Sequence, residues 1–265
     1  MESIPHTRTG RPACAGPEHG TAEWRCAICG GESRHLFAKH GFGIRGCRSC
    51  AHQFAKLEPD AGHAARIYGD DYFFGGTAGY GDYLSEARLL RAHGSRYARL
   101  LASHLAPGRV LDVGAAAGFV LEGLLDDGWT GAAVEPHFGD LRRGLAAAAA
   151  ATAPHGWWFI ETWNRDDWVA RLLGRHWHEY SPPSVLHWFN PDGLRRLVSE
   201  FGFEQVAIGR PRKRLNAGHA KSLLRFHAAR NHFGAFATLA DTLVPDRLIL
   251  PYPFTDLFWA LFRRR

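Results

Sequence analysis

Four cysteines near the start of the chain are spaced as two metal-binding turns. Cys26 and Cys29 form one Cys-x2-Cys pair, and Cys47 and Cys50 form a second pair after seventeen intervening residues. Each pair aims two thiolates at one point, and two such pairs supply the four sulfur ligands that tetrahedral zinc prefers. Because the protein fills all four positions and leaves none for water, we expect a structural Zn2+ ion rather than a catalytic one.

The alternative for the same cysteines is a pair of disulfides. Disulfides persist in oxidising compartments, and residues 1–24 are polar, without the apolar stretch of a secretory signal. We therefore expect zinc rather than disulfides, with the knuckle over residues 25–55. We also expect a disordered lead-in over residues 1–24 and a cytoplasmic protein.

A second group of residues has the order of a nucleotide-binding unit. Arg109–Val113 is a short apolar strand, residues 114–118 are a turn of small residues, and a helix leads to a second strand at Thr130–Val134. Small residues let a ligand approach the backbone. Glu135, 23 positions after Asp112, can accept both hydroxyls of a ribose. This spacing fits a dinucleotide and S-adenosylmethionine equally well.

These residues and two further segments resemble a known family. "LDVGAAAGF" is similar to motif I of the class I S-adenosylmethionine-dependent methyltransferases, and "AVEP" resembles the motif whose acid binds the ribose. "YFFGGTAGYGDY" and "LLGRHWHEYSPPSVLHWF" resemble segments of a bacterial branch of that family that carries an N-terminal zinc knuckle. The resemblance covers most of residues 26–208.

The resemblance implies an α/β fold with a Rossmann-like methyltransferase sheet and S-adenosyl-L-methionine as the cofactor. The residues it places at the cofactor are Asp112, Gly114, Ala116, Gly118 and Glu135. Ala116 replaces a glycine of the motif, a departure we expect to be mild because it adds only a methyl group. Tyr80 lies in a tyrosine-rich segment that either packs or forms a lid whose hydroxyl groups reach the ligand.

The segment between Glu135 and His155 is too short to hold all the strands that this family has there. That sheet has seven strands in the order 3-2-1-4-5-7-6, and strands three and four lie between the ribose-binding acid and strand five. Here about twenty residues separate Glu135 from His155, room for one crossover of at least about 10–12 residues and no extra strand. We expect strands three and four to be missing, with Pro136 leading directly to the helix before strand five. Strand one must then pair with strand five or leave open edges.

The segment "RHWHEYSPPSVLHWF" is the best candidate for a substrate wall. Methyl transfer from a sulfonium is an in-line displacement that needs positioning and, for many acceptors, removal of a proton. We choose His187 as the candidate base, with His178 and Tyr180 beside it. The alternative is that these histidines only satisfy hydrogen bonds of a loop.

The remaining pattern predicts one methyltransferase-like domain over residues 65–265, with a helical lid at 65–106 and a shortened core at 107–265. Asn190 and Pro191 are residue types typical of a helix N-terminus, and Gly202 is typical of the position where a helix ends. "TDLFWALFRRR" predicts a final, antiparallel strand.

The charge and hydropathy of the chain indicate which classes of binding partner to expect. The net charge is +6 and the pI about 9.3, but the basic residues are mostly arginines scattered along the chain, with the densest run at residues 210–214. The most apolar late stretch, residues 248–262, is broken by Pro251, Pro253 and Asp256, so we expect no membrane span. We expect a small-molecule or sugar-type acceptor and no nucleic acid. The alternatives are a non-catalytic binding or scaffold module and an RNA methyltransferase.

Overall fold

The computed structural model describes residues 24–60, 62–67, 84–134, 140–218, 221, 244–245 and 248–265. Its strands are β1 (Ser33–Lys39), β2 (Phe42–Cys47), β3 (Gln53–Ala55), β4 (Arg109–Val113), β5 (Thr130–Val134), β6 (Trp157–Trp163), β7 (His187–Trp188), β8 (Phe203–Gly209), β9 (Arg214–Asn216), β10 (Ile249–Pro251) and β11 (Leu257–Arg264). Its α-helices are α1 (His63–Ile67), α2 (Ala87–Leu101), α3 (Phe119–Leu125), α4 (Leu141–Ala151), α5 (Trp168–Leu173) and α6 (Pro191–Ser199).

The largest apolar strands form an antiparallel sheet in the order β6-β11-β8. β11 runs between the other two and is buried over its first six residues. Helices α4 and α6 pack on one face of this sheet, where Phe203, Phe258 and Phe262 form the core. This order corresponds to strands five, seven and six of the resembled family, as the sequence predicted, and the final strand is antiparallel.

Strands β4 and β5 form a parallel pair of their own. Within the described residues, β4 pairs only with β5 and β6 only with β11, so strand one does not pair with strand five. Of the two outcomes the sequence left open, the structure shows the second, in which the sheet edges stay open. The sheet is an α/β methyltransferase-like arrangement divided into two parts, with no described strand in the places of strands three and four.

Helix α2 connects the two parts. Its residues Ala98 and Leu101 pack against α3 and against Trp259 and Leu261 of β11. The predicted helix signals are confirmed for α6, where the Asn190 side chain accepts a hydrogen bond from the Gly193 amide at 2.8 Å.

The cysteine-rich segment forms a separate sheet that recruits one strand from the rest of the chain. Strands β1, β2 and β3 form a meander, and β7 adds to it as a fourth strand next to β3. The backbone amide of Ala55 also donates to the carbonyl of Leu186 at 2.9 Å. The knuckle is therefore built from residues 24–57 together with the loop near residue 187. No helix in the part of the chain that the structure describes is long and apolar enough to cross a bilayer.

Candidate functional site

The four predicted metal ligands converge. The Sγ atoms of Cys26, Cys29, Cys47 and Cys50 all lie within 4.8 Å of one another. Three of these separations, Cys26–Cys50, Cys29–Cys47 and Cys29–Cys50, are 3.5 Å. A disulfide requires about 2.05 Å, whereas four sulfurs about 2.3 Å from a central zinc are separated by about 3.8 Å. The geometry fits a tetrahedral metal site, and all four cysteines are free thiols.

Backbone amides around the cysteines favour thiolates. The amide of Ile28 donates to Cys26 Sγ at 3.3 Å, and the amides of Ser49 and Cys50 donate to Cys47 Sγ at 3.3 and 3.4 Å. Burial raises the pKa of Cys47, but these two amides, together with the side-chain hydrogen bonds to Cys29 and Cys50, outweigh it and bring the pKa to about 7. Burial dominates at the other two sites, where it raises the pKa of Cys26 and brings that of Cys50 to about 11. Metal ligation needs deprotonated sulfur, so the amides favour it at Cys47, and the charge of a cation would have to offset the burial of Cys26 and Cys50.

The small-residue turn connects β4 to α3 as predicted. Gly114 and Gly118 have φ angles of 84° and 81°, the left-handed region that favours glycine. The amide of Gly114 donates to the carbonyl of Val134 at 2.9 Å, so the turn is fixed to the end of β5. A Cβ built at either glycine would have no neighbour within 4 Å, so the space beside the turn is open to a ligand.

Ala116 departs from the motif more severely than the sequence suggested. Its φ is 47°, so an alanine occupies a left-handed position where the motif has glycine. For a residue with a Cβ, this conformation costs about 1–2 kcal/mol. The substitution therefore adds backbone strain as well as a methyl group.

We expect Ala116→Gly to stabilise the protein. Relief of the strain, about 1–2 kcal/mol, exceeds the cost of the more flexible unfolded chain, about 0.4–1 kcal/mol. The free energy of unfolding in urea should rise by about 0.5–1 kcal/mol. Ala115→Gly is the matched control, since Ala115 is not among the left-handed residues, and it should lower the stability. A loss of stability in Ala116→Gly would contradict the strain.

The remaining predicted cofactor residues are only partly described. Asp112 lies on β4 opposite Ala133 of β5, two residues before the turn. Glu135 and Tyr80 lie outside the described residues. Their assignment as cofactor contacts stays a prediction.

The candidate base His187 lies in the knuckle sheet. It pairs with Phe54 through β7 and β3, and its Nδ1 is 3.2 Å from His52 Nε2. Burial lowers the pKa of His187 to about 4. A weakly basic histidine fixed on the edge strand of the knuckle sheet suits a structural role better than proton abstraction.

Tyr180 also contacts the knuckle. It is 5 % exposed, and its hydroxyl donates to the Oε1 of Gln53. It packs against Trp188 with ring centroids 4.9 Å apart. Burial raises its pKa to about 12. The structure thus does not bring Tyr180 into the same hydrogen-bonded group as His178.

His178 lies at the carboxyl end of β6 in a network that the sequence analysis missed. Its Nε2 is 3.1 Å from a Glu179 carboxylate oxygen and 3.9 Å from Asp256 Oδ2, and 3.4 Å from the Tyr252 hydroxyl. Burial lowers the pKa of His178, but the hydrogen bond to Glu179 and the charges of Glu179 and Asp256 outweigh it, so the pKa is raised. His178 is the more basic of the two candidates.

Asp256 organises this network. It is fully buried and accepts hydrogen bonds from Trp177 Nε1 at 2.8 Å and from the Tyr252 hydroxyl at 2.9 Å. The sequence carries a signal for it, because a single aspartate in an otherwise apolar stretch is costly to bury unless it is paired.

A second missed group lies nearby on β6. Glu161 accepts a hydrogen bond from the Tyr97 hydroxyl at 2.6 Å and pairs with Lys213 Nζ at 2.5 Å. Glu161 is the only charged residue within the aromatic strand "WWFIETW". A charge at such a position is costly unless it is paired, so it could have been recognised as a site residue.

Part of the chain matches a known family model. A family model described as "Methyltransferase domain" matches residues 137–208. We call these residues the methyltransferase segment. This segment contains β6, α6, most of β8, and His178 with Glu179, whereas Tyr252 and Asp256 of the His178 network lie outside it. It begins one residue after Pro136, where the sequence placed the junction.

Other comparisons are more remote. No curated protein matches the chain. Among solved structures, the chain is similar to a S-adenosylmethionine-dependent methyltransferase of Thermotoga maritima described as a "possible histamine N-methyltransferase", with 11% identity and a TM-score of 0.37. The match covers 69% of this chain and 93% of that one. A likeness this distant leaves fold and activity to be argued from the chain's own residues.

The methyltransferase segment and the knuckle share one interface. Leu197 of α6 is fully buried in the same cluster as Cys26, Cys47 and Phe54. Arg142 of α4 donates from Nη1 to the carbonyls of Ala27 and Ile28 at 3.0 and 3.3 Å. The four-cysteine cluster is thereby part of the packing of the methyltransferase segment.

Proposed function

We propose that the chain is an S-adenosylmethionine-dependent methyltransferase with a structural zinc ion, acting on a small-molecule acceptor. The observation that carries the proposal is the strand–turn–helix of β4 and α3, whose Gly114 and Gly118 have left-handed backbones. This is the backbone that a nucleotide-type ligand approaches closely. The adjoining methyltransferase segment supports the same function.

The chain's own residues have distinct roles in this proposal. The turn at 114–118 holds the cofactor, which when bound supplies a methyl group on a positively charged sulfur. His178 accepts the acceptor's proton, and Asp256 and Glu179 stabilise the imidazolium that results. Trp163 and Phe254 flank His178 with ring centroids 5.7 and 5.8 Å away and cover part of its ring.

Cofactor binding is the first test. Calorimetry of the full chain with S-adenosylmethionine should show binding, and Asp112→Ala should weaken it at least about tenfold, the effect of one lost charge-assisted hydrogen bond. Asp126→Ala is the matched control, because Asp126 is an exposed residue at the opposite end of α3, and it should leave affinity unchanged. Absence of binding at about 1 mM cofactor would refute the enzyme function.

The role of His178 has its own signature. Proton transfer needs a neutral imidazole, so the rate should be low at acidic pH and rise as the pH passes the raised pKa of His178. His178→Gln should remove this rise and lower kcat by about a hundredfold or more with KM little changed. His187→Gln should retain the profile. If His187→Gln rather than His178→Gln abolishes it, the base is His187.

One observation favours a second function, a non-catalytic binding or scaffold module. Three apolar side chains of the β4–β5 pair, Leu111, Val113 and Val134, are 52%, 45% and 41% exposed. In a complete parallel sheet such residues are covered. Methyl transfer to any component of a cell extract, lost in Asp112→Ala, would exclude this alternative.

A further inference from the structure

A basic cavity lies between helix α2 and the loop that follows β8. Its volume is about 400 Å³. Five cationic side chains line it, Arg96 and Arg99 from α2 and Arg210, Arg212 and Lys213 from the loop. The loop residues belong to the densest basic run of the sequence, which the proposed function does not use.

The cationic side chains of this cavity outnumber the carboxylates that pair with them. Lys213 pairs with Glu161 at 2.5 Å, and Arg210 lies 3.7 Å from Asp167 Oδ2. Across the described residues, Arg96, Arg99 and Arg212 form no ion pair. Three guanidinium groups without an ion-pair partner therefore line one small volume, and an anion that enters it would find several charged donors nearby.

Two buried donors in the same cavity wall also have no acceptor. Arg96 Nη2 and Trp259 Nε1 are shielded from solvent and find no hydrogen-bond partner among the residues that the structure describes. Burial, and then the charge of Arg214, lowers the pKa of Arg96. A buried guanidinium nitrogen left unsatisfied is costly, and an anionic oxygen is the acceptor that satisfies it best.

The neighbouring histidine adds no competing charge. Burial, followed by the charges of Arg96 and Lys213, lowers the pKa of His93 to about 3, so it is neutral at pH 7. Its Nε2 accepts the backbone amide of Arg214 at 3.3 Å and fixes the loop to α2. The backbone segments that carry the cationic side chains are therefore joined by a hydrogen bond.

We propose that this cavity binds the phosphate or pyrophosphate group of a small molecule. Multiple guanidinium groups with fixed, bidentate donors match phosphate oxygens better than a single carboxylate. A concave cavity of this size suits a compact ligand, whereas single-stranded nucleic acid needs an extended groove with a row of stacking aromatic side chains. The proposal holds whether or not the chain transfers methyl groups.

The test uses inorganic pyrophosphate as the probe, titrated into the full chain at about 0.05 M salt. We expect a Kd below about 1 mM, and the double variant Arg99→Gln/Arg212→Gln should bind at least about tenfold more weakly. Both side chains are exposed, so the fold should tolerate the change. Arg196→Gln, an equal charge change at an exposed position on α6, is the control and should bind like the unmodified chain.

Further ligands identify the source of the phosphate. A nucleoside diphosphate that binds about tenfold or more tighter than pyrophosphate indicates a nucleotide, and equal affinities indicate recognition of the phosphates alone. No binding at about 10 mM pyrophosphate, or equal weakening by Arg196→Gln, overturns the proposal. Much tighter binding of a single-stranded RNA that depends on Arg99 and Arg212 also overturns it in favour of a nucleic-acid surface.

Discussion

Replacing Cys47 by serine is expected to unfold the knuckle and destabilise the whole protein. Zinc bound to four cysteine thiolates contributes about 10–16 kcal/mol of folding free energy in small zinc domains, and a serine hydroxyl does not replace a thiolate. Cys47 is also 6% exposed within the cluster that includes Leu197 of α6. Loss of the metal therefore removes one wall of the core beneath the methyltransferase segment.

The measurement combines metal content with thermal unfolding. The unmodified chain should contain one zinc ion per molecule, and a strong chelator should lower the unfolding temperature steeply. Ser49→Ala is the control, because Ser49 lies in the same turn but is exposed and is not a ligand. It should retain both the metal and the stability. A Cys47→Ser protein with unchanged unfolding would show that the site stabilises nothing.

The same change should disturb the His52–His187 pair, since β7 joins the knuckle only through β3. His52 and His187 stack with ring centroids 5.4 Å apart. If His178 is the base, methyl transfer should fail in Cys47→Ser, because Trp188 of β7 donates from Nε1 to the carbonyl of Glu179 at 2.7 Å and a displaced β7 would move the residue beside His178. Cofactor binding at the 114–118 turn should be affected less.

The elements were predictable where their signals are local. Alternating or continuous apolar residues bounded by Gly and Pro predicted β4, β5 and β6. Asn190 followed by Pro191 predicted the start of α6. The cysteine spacing likewise fixed the metal site, because a Cys-x2-Cys turn is short enough to determine its own geometry.

Other features depend on contacts between distant residues. β7 is only two residues long and forms by pairing with the edge of β3. Residues 187–188 alone carry no sequence pattern that predicts a strand. The division between the β4–β5 pair and the main sheet is also tertiary. The sequence showed that two strands were missing but not which edges would remain unpaired.

The choice among histidines could not be made from residue type. His178 and His187 lie nine positions apart in one aromatic segment, yet one contacts Asp256 and the other contacts His52. Their pKa values move in opposite directions because burial at His178 is outweighed by Glu179 and Asp256, whereas burial at His187 outweighs the charge of Asp140. Only the partners brought in by the fold distinguish a base from a structural side chain.

Gly123→Ala is expected to destabilise the protein although alanine is the better helix former. Helices α2 and α3 cross with their backbones in contact at Gly94 and Gly123. A Cβ at Gly123 would lie 2.0 Å from the carbonyl oxygen of Arg91, and one at Gly94 would lie 2.1 Å from that of Val120. Backbone atoms cannot rotate away as a side chain can, so the helices must separate.

The two physical effects have opposite signs, which makes the result decisive. Helix propensity alone predicts a gain of about 1 kcal/mol, whereas overpacking costs about 1–3 kcal/mol, occasionally more. Because the clash is with backbone, we expect a net loss of about 2–3 kcal/mol in urea unfolding. Arg88→Ala, at an exposed position on α2, is the control and should change stability little. A stabilised Gly123→Ala protein would show that the helices do not cross this closely.

The double variant Gly94→Ala/Gly123→Ala extends the test to function. Its loss of stability should be smaller than the sum of the single losses, because helices separated for one methyl group already accommodate the second. Helix α3 starts directly after Gly118, and α2 carries Arg96 and Tyr97. Separation of the helices should therefore weaken binding of S-adenosylmethionine at the turn and of pyrophosphate in the basic cavity together. Independent changes at the two sites would mean that α2 and α3 do not position them jointly.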